Sequence, residues 1–295
     1  MPNFEKIAVV GIGLIGASLA AALKKTGPDL KITAVDRSAE SIKKAEKLGI
    51  IDQGFTEIKD NLKDQDLIFI AVPVAAVPAV IREIKEGSDS QQLLVDAGST
   101  KKEIMLQAAQ ILEDSSKIFI GGHPMAGSHK SGIDWHDPEL FKEAPFILTP
   151  WLDGEQQGEE KKELLQQLKV LIEKIGARVH IISAAEHDRC TAYLSHLPHL
   201  LSSALVNLSQ QKDFNSEFFE LSGSGYRDMT RIAGSSPELW QDIILSNREN
   251  LAELIEKYIA ELKELQQDLE NNDQEKVYNF LARAAEIKNK TEDNQ

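Results

Sequence analysis

Gly11-Ile12-Gly13-Leu14-Ile15-Gly16 follows the apolar run Ile7–Val10 without a spacer, and this junction constrains the fold more than any other stretch of the chain. A G-x-G-x-x-G set between a strand and a helix needs its glycines for separate reasons. Gly11 permits the tight turn out of the strand, Gly13 lets the backbone approach a pyrophosphate, and Gly16 lets the helix pack closely on the strand. The helix begins near Leu14, so Leu14 and Ile15 offer backbone N–H groups that no helical carbonyl satisfies, at the positive end of the helix dipole. A carboxylate should close the next strand, and Asp36 ends the run Ile32–Val35, 20 positions after Gly16. Its oxygens suit the adenosine ribose hydroxyls and its charge opposes a 2′-phosphate, so NAD is the expected cofactor. Arg37 can pair with such a phosphate, which leaves some NADP use open. Val72 and Pro73, at the end of the run Leu67–Val72, are expected beside the same crevice.

The first half of the chain repeats this alternation. Leu93–Val95 and Ile118–Ile120 continue the strand series with helical patterns between them, and Phe146–Leu148 and Val179–Ile182 read as late strands of the same sheet. The fold class is α/β: a Rossmann-type parallel sheet domain over residues 1–182, followed by an all-α dimerisation domain over residues 183–295. Within the second part Ala184–Leu208 reads as one helix kinked at Pro198, and Ser222–Gly225 as a loop. Apolar residues recur at helical spacing from Leu239 to Leu269, more than a small helical domain buries by itself, so a homodimer is expected. The 33 Lys+Arg against 47 Asp+Glu give a formal charge of −14, which argues against nucleic acid and anionic membrane as partners. The single cysteine excludes an internal disulfide and a cysteine-based metal cage, and no apolar stretch is long enough to span a bilayer. A cytoplasmic, metal-free protein is the expectation.

His123 lies in Gly121-Gly122-His123-Pro124-Met125-Ala126-Gly127-Ser128, just past Ile118–Ile120, and is expected in a loop at the carboxyl edge of the sheet. Imidazole titrates near neutrality, at about 6.5, and suits a general base for an alcohol losing hydride. Ser99, in Asp96-Ala97-Gly98-Ser99-Thr100-Lys101, can bond His123 or the nicotinamide region, and also suits the N-cap of a helix over Lys101–Leu112.

Taken in order, GIGLIG, DAGSTK, GGHPMAGSHKSG, HDxxxAYLSHLPH and GYRDMTRIA resemble the prephenate dehydrogenase family, which includes arogenate-using members; the likeness runs from the N-terminus to beyond Trp240. The resemblance implies NAD-dependent oxidative decarboxylation of prephenate to 4-hydroxyphenylpyruvate in tyrosine biosynthesis. Hydride leaves ring C4 while His123 takes the hydroxyl proton, with Ser99 beside it. By the same resemblance Arg231 anchors a substrate carboxylate, His199 is the pocket histidine, and Asp228 and Trp240 lie near that pocket. A planar guanidinium agrees with this role, because it pairs bidentately with a carboxylate. His129 stands where many relatives carry a glutamate, and the missing anion favours the keto acid prephenate over the amino-bearing arogenate. Two rival readings use the same features: a different hydroxy-acid dehydrogenase of Rossmann-plus-helical-dimer build, and a non-enzymatic dimer that senses NAD.

Overall fold

The computed structural model describes residues 4–127, 130–150, 158–209 and 219–292. The chain divides into two compact units, Met1–Asn247 and Arg248–Gln295. The first is built on an eight-stranded sheet. Its elements run β1 (Lys6–Val10), α1 (Leu14–Thr26), β2 (Lys31–Val35), α2 (Ala39–Lys47), β3 (Gln53–Phe55), β4 (Leu67–Ile70), α3 (Val77–Gly87), β5 (Leu93–Asp96), α4 (Lys102–Ile111), β6 (Ile118–Pro124), β7 (Pro145–Thr149), α5 (Glu159–Lys174) and β8 (Arg178–Ile181). Helices follow: α6 (Ala184–Thr191), a π-helical turn (Ala192–His196), α7 (Leu197–Leu208), α8 (Ser224–Thr230), a 3₁₀ turn (Arg231–Gly234) and α9 (Pro237–Ser246).

The strand order is β3-β2-β1-β4-β5-β6-β7-β8. Strands β1 to β6 are parallel, whereas β7 runs antiparallel to β6 and parallel to β8. Both faces are covered, which is why the runs read as continuous apolar segments rather than alternating ones. Ile7 and Val9 join one apolar cluster with Leu19 and Leu23 of α1 and Leu168 and Leu171 of α5. Ala8 and Val10 face the other cluster, with Val77 and Ile81 of α3 and Ile104 of α4. The chain turns outward after β1 and returns at β4, so a topological switch point lies between these two strands, and ligands of such sheets bind in the crevice beyond its carboxyl ends.

Four elements differ from the sequence expectation. Strand β3, Gln53-Gly54-Phe55, carries no apolar run and pairs at the sheet edge on β2 alone. The expected loop at Gly121–Pro124 is instead the second half of β6, because β7 supplies an antiparallel partner in which His123 faces Ile147. The expected single helix Ala184–Leu208 is interrupted by the π turn, with Pro198 in the first turn of α7. The proline ring crowds the carbonyl four residues back, inside that turn, and the chain relieves the crowding by widening it. The stretch expected as a loop at Ser222–Gly225 leads directly into α8, with Gly223 as the N-cap.

The second unit is a helical hairpin, α10 (Arg248–Glu270) and α11 (Gln274–Glu292). Asn272 turns the chain with φ of +51°, and Arg283 pairs with Glu261 across the hairpin at 2.9 Å. Ile259, Leu262, Leu269, Tyr278 and Leu281 remain exposed on it. No helix among the described residues is long and apolar enough to cross a membrane.

Candidate active site

Each glycine of the first turn meets its own constraint. Gly11 has φ of +94°, and a Cβ there would lie 2.4 Å from the Ala71 carbonyl oxygen. A Cβ on Gly16 would lie 1.9 Å from the Gly11 carbonyl oxygen. Gly13 meets nothing within 4 Å, so its bare backbone opens onto free space. It is also the N-cap of α1, a helix with no side-chain cap and no acid in its first turn. The side chains of Leu14 and Ile15 are buried and half-buried respectively, leaving their backbone N–H groups as their contribution. Bare backbone, a positive dipole end and no acid in the first helical turn fit a pyrophosphate.

Asp36 has two jobs. Its Oδ2 accepts the Ile12 N–H at 2.7 Å and its Oδ1 accepts the Ser38 N–H at 2.8 Å, so the carboxylate braces the glycine turn while half-exposed at the crevice. Ser38 caps α2 by accepting the Ser41 N–H. Arg37 is exposed beside it. Across the switch point, Val72 packs near Gly11 and Pro73 leads into a 3₁₀ turn, Val74–Ala76.

The second centre surrounds His123, buried on β6. Its Nδ1 lies 2.8 Å from Nε2 of His187, whose Nδ1 lies 2.7 Å from Oδ1 of Asp188. Asp188 also accepts the backbone N–H groups of Lys101 at 2.7 Å and Lys102 at 2.9 Å, capping α4 from a neighbouring helix. The cap expected from Ser99 is therefore supplied by Asp188, and of the two partners open to the Ser99 hydroxyl, His123 or the nicotinamide region, His123 is not bonded to it here. Ser99 is half-buried in the β5–α4 loop with no side-chain hydrogen bond among the described residues. Lys101 and Asp96 form an ion pair with both side chains fully buried. Asp96 further accepts the Gly98 and Gly122 N–H groups. The paired glycines make room for this cluster: a Cβ on Gly121 would meet the Lys101 side chain at 2.9 Å, and one on Gly122 the Asp96 carbonyl oxygen at 2.4 Å. Burial first, then His187, Lys101 and His196, hold the His123 pKa well below the ordinary imidazole value.

A row of histidines continues from there. Asn247 donates to the Asp188 carbonyl at 2.8 Å and lies 3.1 Å from Nδ1 of His196. His196 presents its ring edge to Trp240, and His199 stacks on the same indole with centroids 3.6 Å apart. Both His199 nitrogens are buried without a hydrogen-bond partner among the described residues. The structure thus brings His199 and Trp240 together. Asp228 on α8 and Arg231 at the start of the 3₁₀ turn are exposed, and Arg231 makes no ion pair among the described residues. Helix α7 packs against both elements. His129 lies outside the described residues.

The prephenate dehydrogenase nucleotide-binding domain model matches residues 19–181, and the prephenate dehydrogenase dimerization domain model matches residues 183–283. The chain belongs to the prephenate dehydrogenase family. The prephenate dehydrogenase of Bacillus subtilis (strain 168) is 35% identical to it over 289 residues, 96% of this chain and 75% of that protein. The crystal structure of prephenate dehydrogenase from A. aeolicus in complex with hydroxyphenyl propionate and NAD+ matches with a TM-score of 0.86 at 31% identity, covering 99% of each chain. Synechocystis arogenate dehydrogenase matches with a TM-score of 0.82 at 29% identity, covering 97% of this chain and 99% of that one. In this member of the prephenate dehydrogenase family the sequence reading missed Asp96, Lys101, His187, Asp188 and Asn247. The available signal was the His187-Asp188 pair on a short helix otherwise rich in small residues, which gains meaning only when both prove to be buried.

Proposed function

We propose that this protein catalyses the NAD-dependent oxidative decarboxylation of prephenate to 4-hydroxyphenylpyruvate in tyrosine biosynthesis, as a cytoplasmic homodimer, with His123 as the general base. The observation that carries this reading is the setting of His123: buried, with Nδ1 engaged by His187 and Nε2 without a partner among the described residues, and with burial holding its pKa well below the ordinary imidazole value. It sits on β6, within the second half of the sheet, where a dinucleotide anchored at β1 extends its other nucleotide. NAD, when bound, supplies the acceptor for hydride from ring C4. His123 Nε2 receives the hydroxyl proton, and the resulting dienone loses CO2 because aromatisation is strongly downhill. Arg231 holds a substrate carboxylate, the His199–Trp240 stack forms a wall of the pocket, Asp228 lies beside it, and the Ser99 hydroxyl faces the nicotinamide side. A histidine at 129 gives the ammonium of arogenate no anion to meet, which favours prephenate. The dimerization-domain match and the exposed apolar residues of the α10–α11 hairpin support the homodimer.

The test is NADH formation with prephenate or arogenate, each against NAD and NADP. Turnover is expected with prephenate and NAD. Cofactor binding with no turnover of either substrate would favour the NAD-sensing alternative.

Asp36→Ser is expected to raise the NADP-to-NAD ratio of kcat/KM about tenfold, roughly 1.4 kcal/mol. Both absolute values should fall, because the Ile12 N–H loses its acceptor. An unmoved ratio would place the 2′-position elsewhere. Arg231→Ala is expected to raise KM for the carboxylate substrate about 10- to 100-fold with kcat and NAD affinity little changed. Lysine should rescue it only partly, since an ammonium lacks the two-bond fork. Weakened NAD binding at constant substrate KM would move Arg231 to the cofactor site.

A further inference from the structure

We infer that His187 and Asp188 are a positioning pair that holds His123 in the one tautomer able to accept a proton from substrate; this rests on the reading of His123 as the base. The argument begins at Asp188. Its oxygens receive two backbone N–H groups and face the His187 ring at 2.7 Å, so they act as acceptors and the ring must donate. The alternative sets an imidazole lone pair against a carboxylate lone pair. His187 therefore carries its proton on Nδ1, and its Nε2 is a bare acceptor. That nitrogen lies 2.8 Å from Nδ1 of His123, which must then carry the second proton. His123 Nε2 is left unprotonated.

Isolated neutral imidazole favours the opposite tautomer, with the proton on Nε2, which is useless for a base working through that atom. The pair reverses this preference through hydrogen bonds assigned in sequence from one fixed carboxylate. Helix capping explains Asp188 but not His187. A buried imidazole is costly unless its nitrogens are bonded, and among the described residues the partner of His187 Nε2 is His123. When substrate transfers its hydroxyl proton to His123 Nε2, the Nδ1–H remains bonded to His187, and the imidazolium gains an acceptor backed by the Asp188 charge. No other proton need move. Among the described residues, the titratable groups that act on His123 are His187 on α6, Lys101 at the start of α4 and His196 in the π turn, while Asp188 on α6 and Asp96 on β5 act on His187 behind it.

The test uses ¹⁵N-histidine-labelled protein and ring-nitrogen chemical shifts, with His123 assigned from its loss in His123→Asn. In the parent, His123 is expected to be protonated on Nδ1. In His187→Met, which removes the acceptor at similar bulk, it should move toward the Nε2-protonated form, with kcat lowered about 10- to 100-fold and NAD affinity kept. His187→Gln, whose side-chain oxygen can reach the Nε2 position, should restore the Nδ1 tautomer and much of kcat. A parent His123 protonated on Nε2, or a tautomer unchanged in a folded His187→Met, overturns the positioning role. A tautomer that switches as expected while kcat stays level overturns instead the assignment of His123 as base.

Discussion

His123→Asn lowers kcat by about 10²–10⁴-fold while leaving NAD affinity in place, the loss expected when a positioned general base is removed. The parent's acid limb gives a second reading of the same residue. A base works in its neutral form, so activity rises with pH through the pKa of His123. Burial, followed by His187, Lys101 and His196, holds that pKa well below the ordinary value of 6.5. The limb should therefore lie on the acid side of the position that an unperturbed imidazole predicts, with kcat/KM flat through neutrality. In His123→Asn the limb should vanish. A folded variant with near-normal kcat, or a parent limb above 6.5, would remove His123 from the chemistry.

Acidification from neutrality toward pH 4 should unfold the protein steeply. His123, His187, His196 and His199 all have pKa values lowered by burial, in the case of His196 to about 4. Between that value and about 6.5 the unfolded chain binds protons that the native state refuses, so stability rises with pH across the window and is lost as pH falls through it. His196 alone accounts for about 3 kcal/mol by pH 4, a large part of a typical folding free energy. Urea midpoints measured from pH 7.5 down to 4.5 test this, and His196→Asn should flatten the dependence. A midpoint constant over that range would mean that the histidine row is solvated or already charged in the native state.

The glycine turn was legible because its demands are local: the positive φ of Gly11, the close packing of Gly16 and the openness of Gly13 follow from one strand–helix junction. His123 was legible as a residue but not as a strand position, since its half of β6 exists only through pairing with β7, a partner remote in sequence. The same limit hid the cap of α4. Ser99 stands where a local cap belongs, yet a carboxylate from α6 does the work, and nothing in the spacing announces a cap delivered from another helix. Asp96 and Lys101 were seen as ends of a loop; their mutual burial depends on two glycines of the adjacent strand yielding space.

The placement of His123 within a paired strand also bears on when things happen during turnover. A side chain rooted in a central ladder fluctuates over small amplitudes on fast timescales, and amides there open only with the fold as a whole. Helix α8 and the turn Arg231–Gly234 contain no buried residue. Segments with so little buried surface belong to the part of a protein that opens locally at small free-energy cost, on microsecond to millisecond timescales. On the proposed assignment, substrate would meet a fixed proton acceptor on one side and a pliant carboxylate anchor on the other, and the slow coordinate of the catalytic cycle would belong to the anchor.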